Sequence, residues 1–185
     1  MNEENTKVYM KKRMMEEMGR LSIPEFIAAD KFPYVLVLEN IRSLNNVGSF
    51  FRTADAFRAE TLFLGGYTQA PPHREITKSA LGAELAVPWQ KAEDVPMLLK
   101  SLKQEGYTLV AVEQVEESML LQHFDPPTGA KFAFVFGNEV EGVSQEVIDL
   151  VDICLEIPQF GTKHSFNVSV SAGIVLWKFV EKNLT

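Results

Sequence analysis

At 185 residues with a formal net charge of −7, the chain fits one domain and argues against a general nucleic-acid coat, which needs clustered cations. Its single cysteine excludes an internal disulfide, and no apolar run approaches the ~18 residues of a membrane span. The opening "MNEENTKVYMKKRMMEEM" is too charged for a signal peptide, so a cytoplasmic protein is expected, with Cys154 an inert thiol in "VDICLEIP".

Residues 5–20 read as a helix with Val8, Met14, Met15 and Met18 as apolar surface and Gly19 as its end, giving a helical arm over 1–30 ahead of a domain over 31–185. Lys7, Lys11, Lys12 and Arg13, followed by Glu16 and Glu17, form either a solvated, ion-paired face or a local basic site. "LSIPEFIAADKFP" reads as a connector, and "YVLVLEN" (34–40) as a buried strand.

In "NNVGSFFRTADAF", Val47, Phe50, Phe51, Ala54 and Phe57 recur at helical spacing, and Asn45 and Asn46 are candidate N-caps. Gly48 costs this helix roughly 1 kcal/mol relative to Ala, and shares a face with Arg52 and Asp55. The gap it leaves admits either a neighbouring backbone or a ligand.

Further strands are expected at "ETLFLGG" (60–66), "YTLVAVEQ" (107–114), "KFAFVFG" (131–137) and "DICLEIP" (152–158). Between them, "HREITKSALGAE" and "AEDVPMLLKSLKQEG" read as helices, and "SFNVSVSAGIVLWKFVEKN" as the closing one. There Ser165 is a candidate cap and Asn167 falls in the first turn, while Ser169 and Gly173 make a small-residue face. Strands alternating with helices imply an α/β domain with a mostly parallel sheet covered on both faces, and ligands then bind beyond the carboxyl ends of the strands.

Those strand ends exclude several chemistries. No GxGxxG, GxxxxGK[ST] or GxSxG motif is present, and His73, His123, His164 and Cys154 lack metal-ligand spacing. Instead "GNEVEGVS" follows one strand. Gly137 there can let a flat ligand near the backbone and Glu139 can accept hydrogen bonds, or the segment is a plain turn with Ser144 capping the next helix. After another strand comes "QFGTKHSFNVSVSAG".

Together, "NVGSFFRTADAF", "FVFGNEVEGVS" and "LEIPQFGTKHSFNVSVSAGIVLW" occur in the order and spacing of the three motifs of the SpoU/TrmH family. The chain thus resembles, over residues 34–183, this branch of the SPOUT class of S-adenosylmethionine-dependent RNA methyltransferases. The resemblance implies an α/β fold ending in a deep trefoil knot, an exception to the rule against knotted chains. It implies a cofactor held without metal by the loops at Val112 and Glu113, Gly137 and Asn138, and Ile157 to Phe166. It also implies a homodimer using the closing helix.

The reaction implied is methyl transfer to a ribose 2′-hydroxyl of tRNA or rRNA, centred on Arg52 with Asn46, Glu139, Ser165 and Asn167 around it. Arg52 would act as the base once a phosphate is engaged, or as an electrostatic clamp. In that reading Gly48 clears the face of Arg52 for RNA or a partner subunit. Gln159 and Phe166 depart from the common Ile-Pro-Met and Ser-Leu-Asn pattern, the latter altering packing on the adenine. With only the arm before the first strand, RNA recognition is expected from the basic arm, dimer surfaces or another protein. The competing class is a non-catalytic RNA-binding or assembly factor that kept the fold.

Overall fold

The computed structural model describes residues 10–184. Of the helix expected over 5–20, the first part lies outside these residues. The rest holds a one-turn 3-10 helix, Met15–Met18, closed by Gly19 in the left-handed region at φ 58°. An isolated helix this short is marginal in water, and here Met10, Met14 and Met18 are left exposed rather than packed. The segment read as a connector contains a helix, α1 (Ile23–Ala28), where Ser22 and Glu25 cap each other reciprocally and Pro24 occupies the first turn. The Ser-x-x-Glu signature was present in "SIPE"; the proline obscured it.

The remaining elements are β1 (Tyr34–Glu39), α2 (Leu44–Ala56), β2 (Thr61–Gly65), α3 (Arg74–Ala80), β3 (Trp89–Ala92), α4 (Val95–Gln104) and β4 (Thr108–Val112). They continue with β5 (Met119–Leu120), β6 (Phe132–Phe136), α5 (Gln145–Ile148), β7 (Ile153–Glu156) and α6 (Val168–Glu181). Among the described residues, seven strands form one parallel sheet in the order β3-β2-β1-β6-β4-β7-β5. The α/β class and the parallel sheet are as expected. β3 and β5 are additions at the two edges, short and partly exposed, and so without the apolar run that marks a buried strand.

Strand alternation sorts the core into two layers. Leu36, Leu38, Phe134 and Phe136 face α2 and α6, packing on Val47, Phe50, Val175 and Phe179. Val35, Val37, Ala133 and Val135 face the other side, covered by Leu99 and Leu102 of α4 and Val147 of α5.

Two local expectations are corrected at α2. Its N-cap is Ser43, whose side chain accepts from the Asn46 N–H, and Asn45 and Asn46 lie inside the helix. Gly48 is buried against α3: a Cβ there would stand 2.5 Å from the Ile76 carbonyl oxygen and 2.9 Å from the Ala80 nitrogen. The gap admits a neighbouring backbone, not RNA or a partner, and the helical penalty of glycine is offset by close α2–α3 packing.

Candidate functional site

The strands being parallel, β1, β2, β4, β6 and β7 all end at one edge of the sheet, where backbone groups leave the ladder and become available. The turn after β6 is built first from glycine. At Gly137 a Cβ would collide with the backbone of Gly142 and Val143, which fold back over it. Asn138 and Gly142 exchange backbone hydrogen bonds of 2.9 Å in both directions, with Gly142 at φ 72°. The space on the Cβ side of Gly137 is therefore filled by this turn, which is why no side chain fits there. The buried Asn138 holds the turn with its Oδ1, which accepts from the N–H groups of Val140 (2.8 Å) and Glu141 (3.0 Å). Its Nδ2 donates to the Asn40 carbonyl (2.9 Å) and to the Tyr67 hydroxyl (2.6 Å).

This turn aims Glu139 at the start of α2. There the carboxylate accepts from the Arg42 N–H (3.0 Å), the Ser43 N–H (3.0 Å) and the Asn46 Nδ2 (2.9 Å). The Ser43 N–H, at the N-cap, has no intrahelical partner, the Arg42 N–H lies just ahead of it, and the third donor is a side-chain amide of the first turn; the helix dipole favours an anion at that end. Partial burial pushes the Glu139 pKa up, but the hydrogen bonds from Arg42, Asn46 and Ser43 outweigh it and hold the carboxyl below its usual range. Glu139 is thus an ionised acceptor at neutral pH, poorly suited to act as a base.

The network continues to the last helix. Asn167 Nδ2 donates to Asn46 Oδ1 at 3.0 Å, while Asn167 Oδ1 accepts from the N–H (2.9 Å) and hydroxyl (2.7 Å) of Ser169. Asn167 is therefore the N-cap of α6, in place of Ser165 and one position ahead of the expected first turn.

The loops after β4, β6 and β7 enclose a hollow of about 230 Å³. All six residues expected at a cofactor, Val112, Glu113, Gly137, Asn138, Ile157 and Phe166, line it, as do Glu139 and Ser165. Asn46 and Asn167 stand behind it through Glu139. Apolar walls come from Val112, Leu155, Ile157, Phe166 and Val168, and carboxylates from Glu113, Glu139, Glu141 and Glu156. Glu113 is fixed by the Val143 N–H (2.9 Å). The loop following Pro158 is tied across the hollow where Gln114 and Gln159 both donate to the His164 carbonyl, at 3.3 and 3.5 Å. Cys154, below this edge, has its thiol pKa raised by burial and then by the Glu113 carboxylate, which suits an unreactive thiol.

Arg52 is elsewhere. It lies six residues beyond Asn46 on the exposed face of α2, roughly 9 Å further along the helix axis. It lines a second hollow, of about 470 Å³, with Arg20, Ser22 and Asp55, between α1, α2 and the segment after α3. No ion pair joins Arg52 to Asp55 among the described residues.

Glu39 escaped the sequence reading. Buried at the end of β1, it accepts from the Ser144 N–H (2.9 Å) and hydroxyl (2.6 Å), fastening the β6 turn to the centre of the sheet. A carboxylate closing the apolar "YVLVLE" was its signal. Among the described residues no cluster of His, Cys, Asp and Glu is arranged to hold a metal ion, and no helix is long and apolar enough to cross a membrane.

Comparison with known proteins agrees with this geometry. The chain is 35% identical over 144 residues to the 23S rRNA (guanosine-2′-O-)-methyltransferase of Neisseria meningitidis serogroup B, covering 78% of this chain and 56% of that protein. It is 32% identical over 152 residues to a mouse (Mus musculus) tRNA (guanosine(18)-2′-O)-methyltransferase, covering 81% of this chain and 9% of that protein. It thus spans little more than half of the first relative and a small part of the second. The AdoMet-bound rRNA methyltransferase of Sinorhizobium meliloti superposes with a TM-score of 0.77 at 25% identity, over 84% of this chain and 59% of that one. With the model of the SpoU rRNA Methylase family matching residues 33–177, the chain belongs to that family.

Proposed function

We propose that this chain transfers a methyl group from S-adenosylmethionine to a ribose 2′-hydroxyl of tRNA or rRNA. The observation that carries the reading is the hollow beyond β4, β6 and β7, backed by the Glu139–Asn46–Asn167 network. Its donor set suits this cofactor: apolar walls for an adenine, and four carboxylates around a ligand whose sulfonium and ammonium groups are cationic. Bound there, the cofactor supplies an already activated methyl group. The task left to the protein is to align the hydroxyl and ease loss of its proton.

Glu139, held ionised, keeps the start of α2 and the β6 turn in register with the hollow. Val112, Glu113, Gly137, Asn138, Ile157 and Phe166 bound the cofactor, and Ser165 lies on its rim. Arg52 and Arg20, which both line the second hollow, grip RNA phosphates, so Arg52 serves as the electrostatic clamp while water or phosphate accepts the proton. The protein acts in the cytoplasm as a homodimer. Support for the dimer comes from α6, whose outward stripe exposes Val170 and Trp177 by half and where Gly173 faces open space. The closing segment carries the family's knot.

The test is tritium transfer from labelled S-adenosylmethionine to total RNA, followed by nucleoside analysis. Appearance of a 2′-O-methylnucleoside that is missing from RNA of cells lacking the gene is the expected result. RNA binding with no transfer to any fraction would favour the non-catalytic assembly factor instead.

A further inference from the structure

We propose that Tyr67 is a stacking platform for an unpaired base next to the methylated nucleotide; this rests on the RNA methyltransferase reading above. Tyr67 follows β2 at the same sheet edge as the hollow. Its backbone N–H donates to Asn40 Oδ1 at 3.1 Å, and its hydroxyl accepts from Asn138 Nδ2 at 2.6 Å. Asn40 follows β1, and Asn138 lines the cofactor hollow, so the backbone of Tyr67 and the hydroxyl of its ring are each tied to the loops that shape the site. Yet 52% of Tyr67 is exposed.

This inverts the usual arrangement of a tyrosine, whose ring is buried and whose hydroxyl reaches water. Here the polar end is satisfied within the protein and the ring is offered to solvent in a fixed orientation. Bases freed from a duplex are held mainly by stacking on such rings, and a ring already immobilised loses little entropy on binding. Charge beside the ring fits the same ligand. The Lys91 ammonium is anchored on the carbonyls of Gly66 (3.0 Å) and Thr68 (2.5 Å), flanking Tyr67 in sequence and within reach of a phosphate. Phe160 provides the contrast: it is 97% exposed in the loop after β7, with no polar end to anchor it.

The experiment compares wild type with Tyr67→Phe, Tyr67→Trp and Tyr67→Leu, measuring tritiated methyl transfer to the RNA fraction that the wild type modifies. Both Phe and Leu remove the hydroxyl, but only Leu removes the ring. Stacking predicts that Leu raises the KM for RNA about tenfold, with S-adenosylmethionine binding unchanged, while Phe and Trp stay within about threefold of wild type. A Leu variant with wild-type KM overturns the proposal. So does a Phe variant as impaired as Leu, because the hydroxyl bond to Asn138 would then be what matters. Wild type that methylates no RNA refutes the underlying function, a result distinct from either.

Discussion

Asn167 and Asn46, 121 positions apart in the chain, meet in a 3.0 Å hydrogen bond that joins the N-cap of α6 to the first turn of α2. Through Asn46 the same network reaches Glu139, so three separate segments are registered beside the candidate cofactor hollow.

Two substitutions of Asn167 separate its jobs. Asn167→Ala removes the α6 cap and the bond to Asn46, and should lower unfolding free energy by about 2 kcal/mol. Asn167→Ser keeps a capping oxygen but cannot reach Asn46 with an amide, so about half of that loss is expected. Urea denaturation of both variants measures the difference; equal losses would mean that the cap contributes nothing, and an unimpaired Ser variant that the inter-helix bond contributes nothing.

Glu139 gives a pH signature. Its carboxyl is held below the ordinary value of 4.5 in the fold, so its contribution is present above that pH and disappears as pH falls through the folded value. Glu139→Gln should cost about 1 kcal/mol at pH 7, discounted because the side chain is partly in water. Denaturation at acid pH should find the two proteins converging. A constant gap across the titration would contradict the assignment.

The glycines divide by what surrounds them. Gly48→Ala gains helix propensity but drives a methyl into the backbone of α3, with a net loss of about 2 kcal/mol expected. Gly137→Ala should be worse, since the whole 138–142 turn must move, and cofactor binding should fall with it. Thermal melting and calorimetric titration check both.

Gly173 is the opposite case, with open space around its Cβ position. Gly173→Leu should leave the monomer folded and shift the oligomer toward monomer in sedimentation velocity. Unchanged association in a folded variant would remove α6 from the proposed interface.

Arg52→Ala should reduce methyl transfer about 100-fold or more while leaving S-adenosylmethionine affinity near normal, because Arg52 lines a different hollow from the cofactor residues. Stability should change by less than about 0.5 kcal/mol, as for other exposed substitutions. Arg52→Lys should recover little, since an ammonium lacks the planar fork that holds a phosphate. Single-turnover transfer and cofactor titration on one preparation provide the check.

Much was legible before any coordinates. Five of the strands announce themselves as apolar runs because both faces of a parallel sheet are buried, and their alternation with helices dictates the α/β class. The motifs beyond the strands name the residues that line one hollow, since side chains placed just after parallel strands must emerge at one edge. Contacts between distant segments were not legible. The gap at Gly48 could have admitted a ligand or a neighbouring backbone, and it is filled by the backbone of α3, which composition and period cannot reveal. Likewise Glu139 was legible as a hydrogen-bond acceptor, but not that its donors are amides at the start of α2. Local spacing determines which elements form and which residues end at the functional edge. Which polar group satisfies which orphan donor is a question of three-dimensional proximity, and only the folded chain decides it.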